Sequence, residues 1–558
     1  MQDEFSNLIK LTFGDRFVKS INRVVTYLSF SGLLLAAITG CGGDEVKPSL
    51  SSARIESEQC AALLKATLPT ATTITAATYT DQETTIGTTK VTVPFCRVVG
   101  LATPTSDSTV GFEVWMPPLS TWNGKFQGVG SGSSAGSIAT AAMLVALMDG
   151  YATMATDNGH VTDTTRPNGA AEQTWALGHP EKMIDFAYRG LHVATVAGKS
   201  VTQSFYSKAA SKSYFVGCSQ GGHHALMEAS RYADDYDGIV AGAPAWQWAN
   251  LMVAELWNSM PALKDPTAIT APKMTLLNNA VIAACDALDG VTDGVIDDPR
   301  KCTYDPAVLQ CTGADSATCL TSVQVAAAKQ IYGGAKYANG TTIFPPYTRG
   351  SELGWTSLYT GATPGGSGWD FFRYSAFQNP TFNNSTFNFD TDTDRALNTL
   401  VAGEPLSSVY NATANLTPFQ TRGGKLIIYH GWADQQISPS SSLDYYQRVV
   451  SSVGQPVTDS FLKMFMMPGI GHCSGGPGVA KIGGSTGAAA SADADHDVVR
   501  ALDRWVTQGI APASLIGTRL ESAPITARTR PLCAYPKVAK YKGSGSIDDA
   551  ANFSCASS

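Results

Sequence analysis

Residues 212–245, KSYFVGCSQGGHHALMEASRYADDYDGIVAGAPA, decide the fold. Lys212–Gly217 is a short β-branched and aromatic run that stops at glycine, and His223–Tyr232 has helical character. Asp237–Pro244 (DGIVAGAP) reads as another buried strand. Strand, tight turn, helix and strand predict an α/β sheet with parallel order. At the turn, Gly217-Cys218-Ser219-Gln220-Gly221 fits G-x-S-x-G, in which the serine sits on a strained strand-to-helix bend and exposes its hydroxyl. The same pattern occurs at 132–136 and 483–487, but neither lies between a strand and a helix, so context selects Ser219.

Working outward, Lys425–His430 (KLIIYH) and Phe461–Met467 (FLKMFMM) read as two further strands, each followed closely by a polar residue of catalytic type. A serine hydroxyl is a poor nucleophile until an imidazole takes its proton. His472, in PGIGHC (468–473), is the candidate base. Asp434, in HGWAD (430–434), lies between serine and histidine in chain order and would fix the imidazole tautomer without accepting the proton. His223 and His224 are nearer Ser219 in sequence but ride the following helix and point away from its tip. His160, His179 and His430 sit in loop-like glycine contexts and read as structural. An oxyanion hole needs two aimed N–H donors. One is the backbone of Gln220, and the other is expected from the loop Gly128–Gly136 (GVGSGSSAG), at Gly132, with Gly130 and Ser131 as near alternatives. That loop has neither G-x-G-x-x-G nor a P-loop ending, which argues against phosphate binding.

At 558 residues the chain is long for one core, and with 44% hydrophobic and 15% charged residues it is globular. A net charge of -7 gives no basic surface for nucleic acid. Residues 24–40 are apolar, with Arg16, Lys19 and Arg23 before them, and end Ile38-Thr39-Gly40-Cys41; this is the pattern of an export signal. The ending resembles a bacterial lipobox, so Cys41 is expected to carry a lipid and to be the only membrane attachment. The first twenty residues are long and partly acidic for such a signal, which points to a translation start further along. Nothing after residue 41 is apolar for long enough to span a bilayer. Apart from Cys41, ten of the 11 cysteines remain, an even number that reads as a disulfide framework in an exported chain. Local loops suggest Cys60–Cys96, Cys285–Cys302, Cys311–Cys319 and Cys533–Cys555. Cys218 and Cys473 are left over, beside Ser219 and His472. Bridged, they would clamp serine and histidine together; unbridged, they are two unrelated buried thiols.

Between about 246 and 422 the texture changes to Gly, Thr, Asn, Asp and aromatics, which does not continue the sheet. The organisation expected is a signal over 1–40, a linker over 41–59, a catalytic domain over 60–245 and 423–558, and a lid over 246–422. Within the lid, CDALDGVTDGV (285–295) packs three carboxylates and two Asp-Gly turns into one loop. Hard oxygen ligands suit Ca²⁺ better than zinc, although Asp-Gly turns are common without metal and the spacing is not that of an EF-hand. The Gly- and Ala-rich run 483–494 reads as one surface loop.

Together, residues 217–245, CDALDGVTDGVIDDPRKC (285–302), HGWAD (430–434) and PGIGHCSGGPG (468–478) resemble the tannase and feruloyl esterase family, from about residue 55 to the C-terminus. The resemblance implies an α/β-hydrolase fold with a lid inserted between nucleophile and acid. It implies Ser219, Asp434 and His472 as a triad and a Cys218–Cys473 bridge. It further implies a structural calcium on Asp286, Asp289 and Asp293 with the carbonyls of Val291 and Val295. The chain departs from the family at Gly221-Gly222-His223, where Gly-Gly-Arg is common. Trp369–Tyr374 (WDFFRY) has an aromatic texture suited to a phenyl-bearing acyl group, so Trp369, Phe372 and Arg373 are candidate substrate contacts; with Phe371 they read equally as lid core. The expectation is a serine esterase acting on small feruloyl or galloyl esters. Alternatives are a terephthalate monoester hydrolase of the same family, a peptidase using the same triad, and a non-catalytic surface lipoprotein that keeps the scaffold.

Overall fold

Nine strands form one sheet: β1 (Thr72–Thr80), β2 (Phe95–Ala102), β3 (Val110–Met116), β4 (Phe126–Val129), β5 (Ala152–Thr156), β6 (Ser213–Cys218), β7 (Gly238–Gly242), β8 (Lys425–Gly431) and β9 (Leu462–Met467). The computed structural model describes residues 52–557 except 70, 167, 362 and 520–526. The expected export segment, Cys41 and most of the linker lie outside the described residues. Across the sheet the order is β1-β2-β3-β5-β4-β6-β7-β8-β9. The first three strands are antiparallel, as is β3 against β5, and from β5 to the β9 edge every neighbour is parallel.

The parallel strands are mostly apolar because both faces are covered. Every residue of β6 and β7 is buried. Successive side chains serve opposite faces: Phe215 packs with Leu191 and Val201 of α1 (Gly190–Tyr206) and Leu226 of α2 (Gln220–Arg231). Tyr214 and Val216 pack with a separate set of helical residues, among them Val498 and Leu502. The antiparallel strand β1, TTITAATYT, is partly exposed along its length, and its few apolar residues give little periodic signal.

Strands β7 and β8 are parallel neighbours, paired from Gly238↔Lys425 to Gly242↔Tyr429. The long chain between them is therefore an excursion from the sheet, and the expected 246–422 lid falls inside it. It contains α3 (Trp248–Lys264), α4 (Ala271–Cys285), shorter helices and only two- or three-residue strands. One apolar cluster gathers around α3 with Phe371, Phe372 and Tyr410, and a second around α4 with Trp355 and Tyr359. Disulfides join Cys60–Cys96, Cys218–Cys473, Cys285–Cys302, Cys311–Cys319 and Cys533–Cys555. Five bridges suit an oxidising, extracytoplasmic compartment. Among the described residues no helix is long and apolar enough to cross a membrane.

Candidate active site

Ser219 stands between the end of β6 and the start of α2 with φ +65° and ψ −121°, a left-handed conformation that costs energy for a residue with a side chain. Glycines make the bend possible. A Cβ at Gly217 would lie 2.4 Å from the Gly221 carbonyl oxygen, and one at Gly222 would lie 2.3 Å from that of Gly242. The serine N–H donates to Gly242 (3.0 Å), which fastens the bend to the end of β7.

Asp434, fully buried just beyond β8, accepts at Oδ2 from Nδ1 of His472 at 2.8 Å. The same oxygen lies 3.1 Å from Nε2 of His430, while Oδ1 accepts the N–H groups of Gln436 (2.8 Å) and Ile437 (2.9 Å). Burial alone would raise this carboxyl; the charge of His472 and the hydrogen bonds from His430 and His472 outweigh it and hold the group well below the ordinary carboxylate range. His430 is the residue the sequence reading missed. It lies in β8, the strand read over 425–430, with Nδ1 2.8 Å from Ser442 Oγ and Nε2 3.0 Å from the Ile437 carbonyl. That placement makes it a second imidazole orienting the acid.

The Cys218–Cys473 bridge, with Cα atoms 6.0 Å apart, ties the residue before Ser219 to the residue after His472. Ser219 retains 9% exposure and the His472 side chain 14%. No hydrogen bond joins Ser219 Oγ to His472 among the described residues; such contacts commonly tighten only when substrate arrives.

The glycine-rich loop presses on the elbow backbone to backbone. A Cβ at Gly130 would lie 2.6 Å from the Gly221 Cα, the Gly130 N–H donates to Val216, and the Ser131 carbonyl accepts the Gly221 N–H at 2.9 Å. Gly130 is thereby removed as an oxyanion donor, its N–H being spent. The N–H groups of Gln220 and Gly132 make no hydrogen bond within the described residues, and Gly132 is exposed. Side chains lock the loop: Ser131 Oγ donates to Gln220 Oε1 (2.9 Å), Asn158 Nδ2 donates to Ser131 Oγ (2.8 Å), and Nε2 of His160 meets the Ser134 carbonyl (2.8 Å). His223 and His224 are buried against the carbonyls of Tyr410 (2.8 Å) and Phe186 (2.7 Å), and burial lowers them to about 3 and about 4 respectively, so both are neutral at neutral pH. His179 pairs with Asp107 at 2.7 Å, outside this cluster.

The lid reaches the same loop. Ser367 Oγ lies 2.9 Å from Ser134 Oγ and 3.2 Å from Ser133 Oγ, and the buried Glu255 carboxyl of α3 accepts the Gly368 N–H at 2.8 Å. The candidate contact Phe372 needs correction: it has no exposed surface and packs against Phe371, Phe377 and Phe387, so it is lid core. Arg373 donates through Nε to Phe382 O and lies 5.1 Å from the ring centre of Trp369, itself 9% exposed.

In the acidic loop, Asp286 accepts the N–H groups of Asp293 (3.2 Å), Gly294 (2.9 Å) and Val295 (3.3 Å), and Asp289 accepts that of Val291 (2.8 Å). Asp293 pairs with Arg530 (2.5 Å) and Arg528 (3.2 Å). Asp289, Asp293, Val295 and Asp297, the last overlooked in the sequence, line a cavity of about 20 Å³ together with Arg528 and Arg530. Burial first, then the charges of Asp293 and Asp286, raises Asp289; burial and Asp289 push Asp297 up to about 7. Asp289 and Asp297 offer hard oxygen donors of the kind calcium takes, with no free thiol or imidazole in the loop, while Asp293 is already paired with Arg528 and Arg530.

The family model described as "Tannase and feruloyl esterase" matches residues 96–556. An uncharacterized esterase of Xanthomonas campestris pv. campestris is 38% identical over 90% of this chain and 92% of its own. A probable feruloyl esterase B-1 of Aspergillus oryzae is 34% identical over 83% of this chain and 84% of its own. The crystal structure of feruloyl esterase B from Aspergillus oryzae superposes with a TM-score of 0.81 at 32% identity, covering 90% of this chain and all of that one. The tannin acyl hydrolase of Aspergillus niger shares the fold, with a TM-score of 0.71 at 21% identity over 90% of this chain and 95% of its own. The sheet, the elbow and these likenesses lead to one conclusion: the chain has the α/β-hydrolase fold and belongs to the tannase and feruloyl esterase family of carboxylic ester hydrolases.

Proposed function

We propose that this chain hydrolyses esters of aromatic acids, of feruloyl or galloyl type, through an acyl-enzyme on Ser219. The observation that carries the reading is the Asp434–His472 hydrogen bond, tethered by the Cys218–Cys473 bridge beside the strained serine. With Nδ1 held by Asp434, Nε2 of His472 takes the Ser219 proton as Oγ attacks the carbonyl carbon. Negative charge gathers on the carbonyl oxygen, where the N–H groups of Gln220 and Gly132 stabilise it. Nε2–H then protonates the departing alcohol oxygen as its bond to carbon breaks. Water, deprotonated by the same nitrogen, releases the acid and restores the serine. Aromatic acids are supported by the names of the relatives, several of them probable feruloyl esterases. The non-catalytic reading is disfavoured, because a binding scaffold has no need of a strained serine and an oriented imidazole.

Asp286, Asp289 and Asp293, with the carbonyls of Val291 and Val295, would hold calcium; Asp297 lies beside them. The ion would supply a cross-link within the lid loop and play no part in bond breaking. Export with a lipid on Cys41 completes the reading, supported by the sequence around it and by the five disulfides. Methyl ferulate, methyl gallate, chlorogenate and hydroxyethyl terephthalate, assayed with the wild type and Ser219→Ala, test the function. Turnover of a hydroxycinnamate or gallate ester, abolished in the variant, is expected; persistence in the variant would refute Ser219, and terephthalate as the best substrate would move the specificity.

A further inference from the structure

A cavity of about 460 Å³ lies where the lid meets the loops beyond β8 and β9. Its walls include Ile282 and Ala283 of α4, Ile296, Leu353 and Trp432, with Arg349 among them. Ser219, Gln220, Gly132 and His472 do not line it, so it is not the acyl pocket. Leu353, at 58% exposure, is a large apolar side chain left in water.

Arg349 gives the chamber its chemistry. Its Nε donates to the Tyr304 carbonyl at 2.8 Å, and its guanidinium lies 4.7 Å from the ring centre of Tyr332. Among the described residues no carboxylate pairs with it. Neighbouring Glu352 is spent on Asn278 (2.6 Å), the Gly350 N–H (2.8 Å) and the Tyr332 hydroxyl. A guanidinium fixed at one edge keeps further donors for an anion and suits the planar fork of a carboxylate. Apolar walls with a few polar residues, Arg349, Asn278 and Asn279, in a chamber of this size are the build of a small-molecule site.

We propose that this cavity binds an aromatic monocarboxylate, its carboxylate on Arg349 and its ring against Ile282, Ile296 and Trp432. An ester of that acid lacks the negative charge, so the cavity favours the hydrolysed acid over its ester. That the acid is the enzyme's own product rests on the proposed function; the preference for an aromatic carboxylate rests on the cavity alone. Ala433, Gly469 and Pro477 also line the chamber and flank Asp434 and the loop that carries His472.

The test is calorimetric titration of ferulate into the full chain after phosphonylation of Ser219, repeated with Arg349→Met and Ala283→Trp. Ala283 is exposed on α4, so tryptophan there narrows the chamber without disturbing a core. One site per chain is expected, weakened at least tenfold by either substitution, with coniferyl alcohol, which lacks the carboxylate, at least tenfold weaker than ferulate. No binding to the phosphonylated parent, or equal binding in all three proteins, would overturn the proposal. If the phosphonate fails to attach, the catalytic reading falls instead, and titration of the untreated proteins reads the cavity through the same Arg349 and Ala283 dependence.

Discussion

The sheet and the lid are built by different rules. In the sheet, β6 to β9 pair residue to residue, and Ser219, Asp434 and His472 stand just past the ends of β6, β8 and β9. Backbone hydrogen bonds there fix where the reacting atoms emerge. Among the described residues of the lid no strand exceeds three residues, and side chains do the holding: Glu255 on Gly368, Gln173 on Ser367, two disulfides and a loop of carboxylates. The difference teaches that the chemistry is placed by the sheet, whereas its cover is held by side chains, the proposed calcium loop and the buried Glu255 among them.

The largest expected contrast is between two bridges. Cys218→Ala with Cys473→Ala should cost about 2–5 kcal/mol of stability and lower kcat/KM for methyl ferulate at least tenfold. Cys311→Ala with Cys319→Ala, which opens a lid loop of sequence separation 8, should leave kcat/KM near wild type. Equal activity in both double variants would erase the contrast. Next, removal of calcium with EGTA should lower the melting temperature by roughly 5 °C, since a ligand bound only by the folded state stabilises it. An unchanged melting curve in dialysed protein would place the lid's stability elsewhere.

The smallest effect concerns Glu255. Burial raises this carboxyl from 4.5 to about 8, the Gly368 N–H opposing. The folded chain therefore keeps a proton that the unfolded chain loses, so the contribution is fully present below about pH 4.5 and is lost as pH rises to about 8. Glu255→Gln should flatten that loss: from pH 5 to pH 8.5 its melting temperature should gain on the parent's by a few degrees. Parallel curves would show that the carboxyl does not titrate as its burial demands.

Much of the sheet's working end was legible because apolar runs ending at glycine, with a polar residue just beyond, leave a local signature. The strand over 425–430, the elbow at 219 and the Asp434–His472 contact follow from such runs. His430 was not legible in its role: it belongs to the strand read over 425–430, but its contact with Asp434 is a tertiary fact. Strand β1 was hidden by threonines and alanines on a half-exposed surface. Asp297 lies past the repeated Asp-Gly turns and joins the acidic cavity only through folding. In the lid, WDFFRY offers rings suited either to a ligand or to a core, and only packing decides that Phe372 belongs to the core. The Arg349 cavity draws on segments far apart in sequence, which no local pattern can bring together.

The most direct test of the central claim is peptide mapping after fluorophosphonate treatment. A single adduct on Ser219, formed in the wild type and at least a hundredfold more slowly in His472→Ala, is the predicted result. An adduct on any other residue, or unchanged labelling without the imidazole, would contradict the account.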